Sequence, residues 1–166
     1  MIGHKFQIVI SVIILGIVFI SFTKEWNHET DESIPYPEGY REWTHVKTYI
    51  VGPKSPAFKF IGGFNHVYAN ETAMVGYKTG RFPNGSVIVS DVIEAKEDSV
   101  DIREGPRHHI DVMVRDSIKF SDAGGWRFEE FQGDSPTIRL LTPQIRAICS
   151  NCHTKQKEMV FSVYRK

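Results

Sequence analysis

The sequence predicts an α+β domain, predominantly an antiparallel β-sheet with a few short helices, preceded by an N-terminal hydrophobic helix. Three observations lead there. Residues His108 to Arg115 alternate strictly, with Ile110, Val112 and Val114 on one side and His109, Asp111, Met113 and Arg115 on the other, the period of a strand with two different faces. Other runs rich in β-branched and aromatic residues are separated by Gly, Pro and Asn turns, with little βαβ character. Finally, Phe6 to Thr23 carries no charged side chain and is dominated by Ile and Val, on the border between a secretory apolar region and a short membrane helix.

The elements follow in order. Residues 1–23 read as a signal peptide or an uncleaved membrane anchor. The anchor is favoured, because the first alanine is Ala57 and Ser21-Phe22-Thr23 is a weak cleavage box. Residues 24–36 read as a tether, acidic and without apolar periodicity. Residues 37–166 are the folded domain, large enough for one core. Val46 to Val51 reads as a strand, Pro53 to Pro56 as a loop, and Phe58 to Tyr68 as a strand bulged at Gly62-Gly63. Asn70 caps a helix over Glu71 to Thr79 that Gly80 closes. Phe82-Pro83-Asn84-Gly85 is a turn, Ser86 to Ala95 a strand, Lys96 to Pro106 a charged loop, and Trp126 to Phe131 the last strand. Thr142 caps a helix with Pro143 in its first turn, and a helical or irregular segment ends in Met159-Val160-Phe161.

The chain has 20 basic and 20 acidic residues, scattered, so neither net charge nor a basic stripe points to nucleic acid. Asn70-Glu71-Thr72 and Asn84-Gly85-Ser86 match the glycosylation pattern by coincidence, because the cap and the turn already explain both asparagines.

Cys149-Ser150-Asn151-Cys152-His153 uses both cysteines of the chain. C-x-x-C-H is the pattern of c-type haem attachment: two thiols for the vinyl groups, and an adjacent His153 as the proximal iron ligand. A zinc site would need a further ligand, since no second cysteine pair exists. A thioredoxin-like pair would need a βαβ context, and a plain disulfide would not need the histidine. Met74, Met113, Met159, His66, His108 and His109 are candidates for a sixth ligand, although methionine more often fills gaps in cores. Met113 stands beside Asp111 on one strand face. A carboxylate at that place can serve as general base for an N–H or O–H substrate, or be a pocket acid paired with Arg115 or His109. Phe58, Phe60, Phe64 and Phe82 are core residues or part of an apolar cap.

Six segments in order, Tyr40-Arg41-Glu42-Trp43, His66 to Asn70, Gly80 to Val87, Val114 to Ser117, Gly124 to Phe128, and Cys149 to His153 followed by Val160-Phe161-Ser162, resemble the cytochrome P-460 family and its cytochrome c′-beta relatives. The resemblance implies a β-rich fold, a homodimer, one covalently attached haem c per chain, and an open distal iron site that takes nitric oxide or hydroxylamine. A haem of this kind also calls for a redox partner protein, and the apolar N-terminal segment together with the haem motif predicts a location on the periplasmic side of the bacterial inner membrane, anchored or secreted. In the hydroxylamine-oxidising members, a lysine in a V-x-V-K pattern cross-links to the haem. Here Val87-Ile88-Val89-Ser90 puts Ser90 there, which disfavours hydroxylamine oxidation. The resemblance places the family's distal acid at Asp111 and its distal arginine at Asn65. The expected distal pocket is thus Asn65, Ser90, Asp111 and Met113. A ligand-binding protein, a hydroxylamine-oxidising enzyme and an electron-transfer cytochrome all remain open.

Overall fold

The computed structural model describes residues 33–165, so the N-terminal helix and nearly all of the tether lie outside the described residues. Among the described residues no helix is long and apolar enough to cross a membrane. Five strands form one antiparallel meander in chain order: β1 (Thr44–Val51), β2 (Gly63–Ala69), β3 (Val87–Glu97), β4 (Ile102–Arg115) and β5 (Trp126–Gln132). Three short helices accompany them: α1 (Phe58–Ile61), α2 (Glu71–Thr79) and α3 (Pro143–His153).

Two expectations for the elements need correction. The predicted strand from Phe58 begins instead as the single turn α1, and β2 starts at Gly63. Gly63 sits at φ +103°, and a Cβ there would meet the Ile93 carbonyl oxygen at 2.2 Å, so the chain can cross that close to β3 only at glycine. The charged loop after Ala95 is largely a hairpin: Ala95 pairs with Glu104, Lys96 with Arg103 and Glu97 with Ile102. Its charges mark a ribbon that projects into water, not a loss of strand. The domain also begins before residue 37, since Ile34 is buried and Tyr36 packs edge-on against Phe131 at 5.1 Å.

The other boundaries follow from local chemistry as expected. Asn70 Oδ1 accepts from Ala73 N at 2.8 Å and from Val87 N at 3.0 Å, while its Nδ2 donates to Gly85 O at 2.9 Å. One side chain thus caps α2 and ties it to the start of β3. Gly80, at φ +79°, returns its N–H to Gly76 O.

Each sheet face buries its own apolar cluster. Val67, Ala69, Ile88, Met113, Trp126 and Phe128 lie under α2, with Met74 and Phe82. Val89, Ile110, Val112 and Phe131 lie on the reverse with Ile34 and Tyr40. The reverse face also buries Asp91 completely. Its carboxylate accepts from Tyr40 Oη at 2.7 Å, Arg41 Nη2 at 2.5 Å and Arg107 Nε at 2.6 Å. Burial, the largest single influence, pushes this carboxyl up, but the hydrogen bonds from these three residues, with the charge of Arg107, together outweigh it and hold the pKa below its ordinary value.

A carboxyl depressed by folding stabilises above its unfolded pKa, and that contribution disappears as pH falls toward the folded value. The unfolding free energy should therefore drop as pH falls below 3.8. Asp91→Asn should flatten this acid limb in urea titrations and cost about 3 kcal/mol near neutral pH, by leaving the guanidinium groups of Arg41 and Arg107 without their shared carboxylate.

Candidate functional site

The strand register sets one row of side chains across the front face. Tyr49 pairs with Asn65, Asn65 with Val92, Val67 with Ser90, Ser90 with Asp111, and Asp111 with Glu130. Directly paired residues in an antiparallel sheet share a face. Asn65, Ser90 and Asp111 therefore share that face, joined by Tyr49 and Glu130. Asp91 and the Arg107 that binds it face the other way.

The C-x-x-C-H segment approaches the same face. Thr142 caps α3 by accepting from Ile145 N, with Pro143 following it, and the helix runs through the whole motif. It is held at the open edge of β5. Arg146 Nε donates to Phe128 O at 2.9 Å, and its Nη2 reaches the buried Glu129 carboxylate at 3.2 Å. Arg139 Nη1 donates to the same carboxylate at 3.0 Å, and Glu130 N to its other oxygen at 3.1 Å. Cys149 packs against the front cluster that contains Met113 and Phe128. Both cysteines are free thiols. Burial, followed by the charges of Asp111 and Glu130, pushes the Cys149 thiol up to about 11, so it is uncharged at neutral pH.

The orientation of His153 is fixed from three sides. Its ring lies 4.7 Å from Phe128 and edge-on to Phe161 at 4.9 Å. Its Nδ1 is 2.7 Å from Met159 O. A carbonyl can only accept, so Nδ1 carries the proton and Nε2 is left with its lone pair. Burial lowers the imidazole pKa, which favours the neutral ring a metal needs.

Met159 O is brought to this position by a strained turn. Glu158 and Met159 have φ of 53° and 60°, the left-handed region that costs non-glycine residues on the order of 1 kcal/mol each. Glu158 accepts from Phe82 N at 3.3 Å, and the Met159 side chain is buried over Gly124, where a Cβ would meet its sulfur at 2.7 Å.

The remaining candidates divide clearly. Asn65 is fully buried, and its amide donates to Ile61 O at 2.9 Å and Gly63 O at 3.1 Å, which turns both of its hydrogens to the backbone and away from any ligand. Its Oδ1 accepts from Ser90 Oγ at 3.4 Å. Met74, Met113 and Met159 are buried core residues. His66 lies on the reverse face between Thr48 Oγ1, at 2.8 Å, and Glu104, at 2.8 Å. His108 is exposed, and His109 faces the Asp111 and Glu130 carboxylates. Phe82 is core, edge-on to Tyr77 and Trp126, whereas Phe58 and Phe60 are exposed. Sequence reasoning missed Tyr49 and Glu130. Their link to Asp111 is cross-strand register, which a single strand's alternation does not reveal.

Two free thiols, a neutral imidazole offering Nε2, and the half-exposed Phe161 beside it make a donor set that fits a haem. This sheet and site define a small β-rich haem-binding domain. The chain belongs to the Cytochrome P460 family, whose model matches residues 37–162, most of its length. No curated protein matches the chain. Membership brings haem, with its iron, as the cofactor.

Arg146→Met should detach α3 from the β5 edge and leave Phe128 O and Glu129 each short of one charge-assisted hydrogen bond. The expected loss is about 2–3 kcal/mol in urea unfolding. Arg146→Lys should recover only part of it, because an ammonium does not fork between two acceptors as a guanidinium does.

Proposed function

We propose that the domain is a monohaem cytochrome c whose iron keeps one side open to a small nitrogen-oxide ligand such as nitric oxide. Cys149 and Cys152 each add a thiol across a haem vinyl group, the sulfur to one carbon and the hydrogen to the other. His153 Nε2 is the proximal ligand. The observation that carries this reading is the committed Nδ1 of His153, which orients the ring and leaves only Nε2 for iron. When bound, the haem supplies a ferrous iron that takes diatomic gases and a one-electron couple.

What the chain's own residues do follows from their contacts. The buried methionines Met74, Met113 and Met159 are held in the core, and each nitrogen of His66 and His109 faces a hydroxyl or carboxylate, which supports an open sixth position. Ser90 and Tyr49 offer hydroxyls, and Asp111 a carboxylate that can accept a proton from an N–H or O–H group. Ser90 has no amine, so the lysine–haem bond of the hydroxylamine-oxidising members is not formed here. The proposal extends to export, with the N-terminal segment holding the domain on the periplasmic side of the bacterial inner membrane, and to a homodimer served by a redox partner protein.

An optical spectrum tests the core of this reading. The purified protein should show c-type haem bands, a five-coordinate ferrous iron and a clear spectral change with nitric oxide. The intact mass should equal one chain plus one haem. His153→Ala should keep the covalent haem and lose the proximal-nitrogen signature. A six-coordinate, low-spin ferrous spectrum without added ligand would overturn the open site. Steady turnover of hydroxylamine with an electron acceptor would establish the enzymatic alternative instead.

A further inference from the structure

His109, Asp111 and Glu130 form a cluster in which Asp111, the acid of the proposed ligand site, is shared with two residues to which that site assigns no role. Their ligand-type atoms all lie within 4.8 Å of one another. Asp111 and Glu130 are direct cross-strand partners, and His109 stands two residues before Asp111 on the same face. The ring of His109 lies between the two acids, with Nε2 3.6 Å from Asp111 Oδ2 and Nδ1 3.7 Å from Glu130 Oε1.

Two features distinguish this from an ordinary surface ion pair. His109 is only 7% exposed, and its buried Nε2 makes no hydrogen bond. It is a buried polar group aimed into the cluster at a distance too long for a direct bond, which has a cost unless the ring is charged or a water bridges. Each nitrogen also faces a different carboxylate. A protonated ring, with an N–H on each nitrogen, matches this placement between two carboxylates.

We propose that His109, Asp111 and Glu130 act as one proton-holding unit beside the haem site, taking up a proton from water when the iron is reduced and releasing it on oxidation. This rests on the haem reading above. The step balances: one electron from a one-electron donor reduces the iron, one proton from solvent joins the cluster, and the local charge is unchanged. The carboxylates of this unit are within electrostatic reach of the motif, because Asp111 and Glu130 both act on Cys149, and Asp111 on His153.

The surroundings give the direction. Burial, the largest influence, pulls the His109 pKa down, but Asp111, then Glu130, then Asp91 through the sheet outweigh it and leave it raised. Burial first, then Asp111, raises Glu130, with His109 opposing and Glu129 adding to the rise. Asp111 also acts on the Tyr49 phenol. His109 and Glu130, each acting on the other, titrate as a coupled pair.

The test is a spectroelectrochemical titration of the haem protein across neutral pH. In the wild type the midpoint potential should fall as pH rises. His109→Gln should lose that slope, and Glu130→Gln, at a half-buried position, should shift it to lower pH. A slope unchanged in both variants overturns the proton-holding unit while leaving the haem reading intact. A protein whose spectrum shows no c-type haem overturns both. A slope lost in His109→Gln alone still supports the unit, with Asp111 as the acid that matters.

Discussion

Glu129 is almost completely buried at the edge of the sheet, and a carboxylate in that position must be paired. Its two arginine partners at Oε2 come from the chain that follows β5: Arg139 from the connecting segment and Arg146 from α3. That requirement decides where the C-x-x-C-H helix lies. β5 has neighbours on one side only, so its outward carbonyls are open. Leu140 N bonds Glu130 O, Gln132 N bonds Ile138 O, and Arg146 bonds Phe128 O. The returning chain therefore covers an edge that would otherwise pair with another strand. The arginine that makes the last of these bonds also reaches the buried carboxylate on the reverse face. α3 itself buries no residue fully. Its position depends on this clamp, on Cys149 and on His153 more than on an apolar stripe.

The sheet keeps two polar systems apart by its period alone. Ser90 and Asp91 are neighbours in sequence and lie on opposite faces. Asp91 anchors Tyr40, Arg41 and Arg107, which fasten the start of the domain to the reverse face. Ser90 faces Asp111 and the row that leads to Glu130. A slip of one residue in β3 would exchange a fully paired structural acid for a hydroxyl on the front face. The Asp91 network resists such a slip, since only the observed register gives its carboxylate all three partners. The stability element on one face thus fixes the geometry of the site on the other.

Much of this was legible in the sequence, for reasons that differ by residue. The alternation of His108 to Arg115 gave the faces of β4 correctly, because both faces are covered by distinct chemistry. Asn70, Gly80, Thr142 and Pro143 act locally, so their caps could be read directly. The hairpin at Lys96 to Arg103 was obscured because a solvent-exposed ribbon carries charges on both sides and shows no apolar period. α1 was hidden among aromatic residues that suit either state. The alignment that put the family's distal arginine at Asn65 gave a position on the right face but not its chemistry, since hydrogen bonds to Ile61 and Gly63 depend on a turn that alternation does not describe. The clamp on Glu129 and the unit around His109 depend on contacts between separate elements, and a single sequence does not encode those in any local pattern.

The front face then divides its work. On the reading proposed above, a lysine at position 90 would bind the haem rim, and the acid beside it would serve the chemistry that bond makes possible. Serine removes the first part and leaves the second in place. Asp111 is not an isolated acid: it shares the His109 imidazole, whose pKa its surroundings raise, with Glu130. On the proton-holding proposal, a proton taken up there on reduction offsets the charge of the added electron without any covalent contact to the ring. On this reading Ser90 leaves the front face to act on the haem through its charges and not through a bond at the ring's edge.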